Sequence, residues 1–98
     1  MGYTRTEEMN KLFETILKLD NIEECYSFFE DICTIKEMQD MAQRLAVAVL
    51  LDKGENYQKI SQEVSVSTAT ISRVSKCLNY GAGGYRTALE RMNGEEAK

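Results

Sequence analysis

The 98-residue chain contains no proline and no histidine, and each absence narrows what it can be. Without histidine, Cys25, Cys33 and Cys77 match no zinc-binding spacing, and no cysteine or serine has an evident base beside it. The cysteines are odd in number, and the expectation is three buried thiols in a reducing cytosol. Glycine-rich phosphate cradles are missing too. Gly81-Ala-Gly-Gly84 precedes a helix but follows no strand, and it lacks the Lys-Ser/Thr of a phosphate loop, so it reads as a flexible hinge. These absences exclude most enzyme classes, and no catalytic residue, metal or cofactor is expected. No stretch approaches the roughly 20 apolar residues of a membrane span. The N-terminus shows no basic-then-apolar signal segment, so a cytoplasmic protein without membrane attachment is expected.

A chain of this length is expected to be one domain. At this size only about 60–65% of the unfolded surface is buried, so the core is modest and a second copy would enlarge it. The net charge of −4 is unevenly spread. Residues 1–40 carry four Lys/Arg against ten Asp/Glu, a net of −6. Residues 57–91 carry Lys59, Arg73, Lys76, Arg86 and Arg91 against Glu63 and Glu90, a net of +3. Local field matters more than total charge for phosphate contact, so an acidic front and a mildly basic back remain compatible with nucleic acid.

No proline interrupts the chain, no β-branched alternation is sustained, and apolar residues recur at three and four, the helical period. The pattern predicts an all-α protein with helices at about 5–19, 22–33, 35–53, 57–64, 68–79 and 85–92. Met9, Leu12, Phe13, Ile16 and Leu17 share a face of the first helix. Asn21 is a candidate N-cap for the second, which carries Ile22, Cys25, Phe28, Phe29 and Ile32. Thr34-Ile-Lys-Glu37 matches a capping box opening the longest helix, which Gly54 ends. That helix is apolar almost all round from Leu45 to Leu51, the mark of a helix wrapped by other elements or by a partner chain. Asn93-Gly94 is expected to stop the last helix and leave residues 95–98 as a loose tail.

Residues 56–79 carry the functional signal. They read as two short helices, capped by Asn56 and Ser67 and joined at Ser65-Val66, the pattern of a helix-turn-helix. Ile60, Val64, Val66, Ile71 and Val74 point inward, and Ser61 is small enough for the helices to approach closely. Ser67, Thr68, Ala69, Thr70, Ser72 and Arg73 then lie toward a DNA major groove. Small hydroxyls and Ala suit base edges, thymine methyls and water bridges. Gln58, Lys59, Arg73 and Lys76 are placed to touch phosphates. Ser65 occupies the turn position usually held by Gly, a site that often demands a left-handed backbone. Against this stand two other readings: a helical hairpin that only packs, and an acidic helical module that docks on a protein through its first two helices without binding DNA.

Thr34-Ile-Lys-Glu37, Gln43-Arg44, Leu50-Leu51 with Gly54, and Thr68-Ala-Thr-Ile-Ser-Arg73 together resemble the tryptophan repressor family, and more closely its Trp-repressor-like branch in Gram-positive bacteria. The resemblance covers most of the chain and is strongest over residues 34–79. It implies six helices, an intertwined homodimer with interlocked N-terminal helices, and two reading heads entering successive major grooves of double-stranded DNA. The function so implied is a sequence-specific transcriptional regulator, a repressor acting by occupancy. The resemblance also implies an effector pocket at Thr34, Arg44, Arg73, Val74 and Cys77. Two positions depart from the family: Val74 replaces a Gly against the ligand ring, and Cys77 replaces a Ser that helps hold the ligand. Overpacking of this kind costs roughly 1–3 kcal/mol, which disfavours tryptophan as corepressor. Arg44 and Arg73 then read as partners of nearby acids, or Arg73 of phosphate.

Overall fold

The structure, a computed structural model, describes residues 3–97, with side chains through Gly94. Among the described residues there are six helices and no strand: α1 Glu7–Ile16, α2 Ile22–Ile32, α3 Ile35–Asp52, α4 Tyr57–Val64, α5 Thr68–Tyr80 and α6 Gly84–Ala97. None is long and apolar enough to cross a membrane.

Local chemistry sets most of the helix ends. The Thr6 hydroxyl accepts from the Met9 amide at 3.1 Å, so α1 starts two residues later than its apolar pattern suggests. Its far end also falls short of Leu19. Lys18 and Leu19 donate to Thr15 and Ile16, a tighter turn that closes the helix. Asn21 caps α2 through a 2.9 Å bond from the Glu24 amide. The capping box at α3 is reciprocal: Glu37 N–H donates to Thr34 Oγ1 at 3.0 Å, and Thr34 N–H donates to Glu37 Oε1 at 2.8 Å. Gly54, at φ 87°, ends α3, with its amide on the Leu51 carbonyl and that of Glu55 on the Leu50 carbonyl.

One expected end is absent. α6 continues through Asn93-Gly94 to Ala97, where a stop and a loose tail were expected; Lys98 lies outside the described residues. A glycine inside a helix costs only about 1 kcal/mol, and the Glu-Glu-Ala that follows favours helix.

The described residues fall into two compact units, divided after Met38 within α3. In the second, Val47 and Ala48 of α3, Ile60 of α4, Ile71, Val74 and Leu78 of α5, and Leu89 of α6 form the buried core. Val47, Ile60 and Ile71 are fully enclosed, each contributing roughly 1.5–3 kcal/mol by leaving water. Val64, Val66, Tyr85 and Met92 pack around that core, as do Val49, Leu50 and Leu51, so the apolar girth of α3 is used on several sides.

The first unit is built differently. Neither α1 nor α2 contains a buried residue. Leu12, Ile16, Cys25, Phe28 and Phe29 are half-buried, and the Phe28 and Phe29 rings meet edge to face with centroids 5.6 Å apart. Phe13, Ile22 and Leu17 are 59%, 67% and 84% exposed. All three cysteines are free thiols, but the expectation of burial fails: Cys25 and Cys33 are half-buried and Cys77 is exposed. Cys77 lies off the stripe that Ile71, Val74 and Leu78 turn into the core.

Candidate nucleic-acid interface

The candidate interface rests on how α4 is joined to α5. Asn56 starts α4 by accepting from the Lys59 amide at 2.9 Å. The helix ends at Ser65, the only non-glycine residue with positive φ among the described residues (φ 60°, ψ 50°). A side chain in that left-handed region costs on the order of 1–2 kcal/mol. The turn demands the conformation that glycine adopts most readily, and the sequence supplies serine. Ser67, two residues on, caps α5 by accepting from the Thr70 amide at 3.2 Å.

A further bond locks the turn. Ser61 is half-buried, and its hydroxyl donates to the Val66 carbonyl at 2.7 Å. Its hydroxyl satisfies a carbonyl of the segment that joins the two helices. Val66 inserts beside the core, so the turn is anchored by both an apolar and a polar contact.

Burial then fixes which side of α5 faces out. Ile71, Val74 and Leu78 are buried. At 3.6 residues per turn, Ala69, Arg73 and Lys76 lie on the opposite side, and all three are exposed, as are Thr68 and Ser72. Thr70 is half-buried, about a quarter turn from that outward stripe. α5 carries two cations and no acid. On α4, Gln58 and Lys59 are exposed, and the Lys59 ammonium sits 3.3 Å from Glu55. An exposed pair of this kind is worth about 0–1 kcal/mol, so it is readily exchanged for a stronger anion.

The residues of the expected effector pocket are differently disposed. Thr34 belongs to the first unit, and its hydroxyl is engaged in capping α3. Arg44, Arg73 and Cys77 are exposed, whereas Val74 is 3% exposed, inside the core. Tyr85 of α6 packs against that core. Burial raises the pKa of its phenol above 10.0; the Cys77 thiol adds to the rise and the Arg44 guanidinium opposes it. In the sequence, Tyr85 is marked only as an aromatic at the start of the last helix.

Two further features support the site from behind. Arg86 of α6 donates to Asp52 Oδ1 at 3.1 Å and to Asn79 Oδ1 at 3.4 Å, tying α6 to the ends of α3 and α5. A partner 34 residues away carries no local sequence signal. The segment read as a flexible hinge is sterically constrained: a Cβ on Gly81 would come within 2.4 Å of the Cys77 carbonyl oxygen, and Gly83 has φ 89°. Gly81 also donates its amide to that carbonyl at 2.8 Å, so the glycine allows α5 to close and the chain to turn directly into α6.

Comparison with known proteins bears on the same residues. The family described as Trp repressor protein matches residues 7–93. The chain is 52% identical over 94 residues to the YerC protein of Bacillus subtilis (strain 168), covering 96% of this chain and 90% of that one. Among solved structures, a TrpR-like protein from Eubacterium eligens ATCC 27750 superposes with a TM-score of 0.88 at 44% identity, covering 91% of this chain and 92% of that one. A Staphylococcus aureus protein described as a candidate Trp repressor gives 0.87 at 48% identity, over 91% and 89% of the two chains. A six-helix fold whose α4–α5 pair is pinned by Ser61, Ser65 and Ser67, matched over nearly its whole length in sequence and in structure, belongs to the Trp repressor family.

Proposed function

We propose that the protein is a sequence-specific regulator of transcription that binds double-stranded DNA, the α4–α5 pair acting as its helix-turn-helix. The observation that carries this reading is the outward stripe of α5, polar and cationic without an acid, on a helix whose other side is buried. Membership in the Trp repressor family supports it. In this reading Ser67, Thr68, Ala69, Thr70 and Ser72 face base edges in the major groove. Gln58, Lys59, Arg73 and Lys76 contact phosphates. Binding blocks other proteins from the same DNA, which makes the regulator a repressor, acting in the cytoplasm.

The working form is a homodimer. The apolar side chains of Phe13, Leu17 and Ile22 are mostly exposed among the described residues. A second copy supplies a matching surface, and two reading heads per dimer give the affinity that one short helix lacks. Tryptophan is not required. Val74 occupies core volume where the family pocket keeps a glycine, and Tyr85 packs against the same core.

Selection of bound sequences from a random duplex pool at near-physiological salt tests the reading. The expected result is a symmetric consensus with half-sites about 34–36 Å apart. Lys76→Ala should weaken all duplexes about equally and flatten the salt slope by about one unit. Failure to enrich any sequence, with and without tryptophan, would overturn the proposal in favour of a protein-docking role.

A further inference from the structure

We infer that the outward face of α5 divides into two jobs: Ser67 and Thr70 position the helix, and base discrimination falls on Thr68, Ala69 and Ser72. This rests on the DNA-binding role proposed above and narrows it, taking Ser67 and Thr70 out of the base-reading set. The Ser67 hydroxyl accepts from the Thr70 amide at 3.2 Å, and the two hydroxyl oxygens lie 3.3 Å apart. The Ser67 hydroxyl is therefore held by the first turn of α5, and the Thr70 hydroxyl lies against it. Thr70 is moreover half-buried, rotated toward the core side of the helix. A hydroxyl held in a cap is a poor base reader, because turning it to a base edge releases an amide at the helix start. Ser72, by contrast, is exposed and lies on the side of the helix opposite the core. Ser67 and Thr70 act through the attitude of α5, as positioning residues.

The test repeats the duplex selection with the full chain and three variants, each first shown by circular dichroism to be folded at the assay temperature. Ser67→Ala removes the cap, and affinity for the consensus and for a scrambled duplex should fall together, by about fivefold. Ser67→Asn restores a good cap while placing an adenine-preferring amide at the same position. It should recover affinity and keep the wild-type consensus; because every variant is folded at the assay temperature, the loss and rescue of affinity then report on the attitude of α5 and not on unfolding. Ser72→Asn should move the preferred base at one position of each half-site, changing the ranking by about tenfold. A new consensus base with Ser67→Asn, or an unmoved consensus with Ser72→Asn, overturns the division of roles while DNA binding stands. If the wild-type chain enriches nothing, the DNA-binding proposal falls, and this inference with it.

Discussion

The second unit, residues 39–98, encloses its own core, with Val47, Ile60 and Ile71 fully buried among the helices that carry them. The first unit has helices just as well formed and capped, yet α1 and α2 bury no residue, and Leu17 is 84% exposed. Both have the helical apolar period, so period alone does not separate a self-sufficient fold from half of an interface. The difference is in what the apolar stripe meets. The stripe of α5 meets α3, α4 and α6, whereas that of α1 is left with large side chains in solvent. Large apolar side chains left in solvent in this way are what the proposed second copy would cover. The second unit is thus the one that holds itself together, and the proposed dimer would draw on the first.

The largest effect is expected where the core is tightest. Ile71→Ala should cost about 2–5 kcal/mol in urea denaturation, at every protein concentration, because it empties a fully enclosed site. A loss below about 1 kcal/mol would mean that the α3–α6 core is not what holds the second unit.

Gly81→Ala carries the same question to the junction of α5 and α6. A Cβ 2.4 Å from the Cys77 carbonyl must displace backbone, so a loss of about 1–3 kcal/mol is expected, again independent of concentration. Wild-type stability in that variant would return the segment to the status of a free hinge.

Leu17→Asp tests the other side of the comparison. Sedimentation equilibrium should show dimer dissociation raised by at least about tenfold, which is 1.4 kcal/mol. The melting temperature should lose its dependence on protein concentration while the helical signal of dilute protein stays intact. An unchanged dimer would place the association surface elsewhere.

The smallest change should be a gain. Ser65→Gly relieves a serine at φ 60°, and the net effect after glycine's own entropy cost is about 0.5–1 kcal/mol of added stability. A lower melting temperature would mean that the serine side chain contributes more than its backbone strain costs.

The helix order and the α4–α5 pair were legible because their signals are local. Asn21, Thr34 with Glu37, Asn56 and Ser67 each cap the helix that the spacing assigned to them, and each does so with a residue three positions away. Lengths were less legible. Asn93-Gly94 reads as a stop, yet α6 runs through it, since one glycine is a modest penalty against a favourable flanking sequence. The residues proposed to face the groove were named as a group, but the sequence could not distinguish exposed Ser72 from half-buried Thr70.

The sequence by itself determined the all-α class, the caps, the placement of glycine at Gly54 and the apolar stripe of α5, because each depends on residues within one or two turns. The tertiary structure decided what those stripes meet. It closed the Ser61–Val66 bond, joined Arg86 to Asp52 across 34 residues, set Val74 in the core and packed Tyr85 against it. It also left α1 and α2 without a buried residue. The physical reason is that burial and long-range pairing depend on which surfaces come together in three dimensions, and no spacing along the chain encodes that directly.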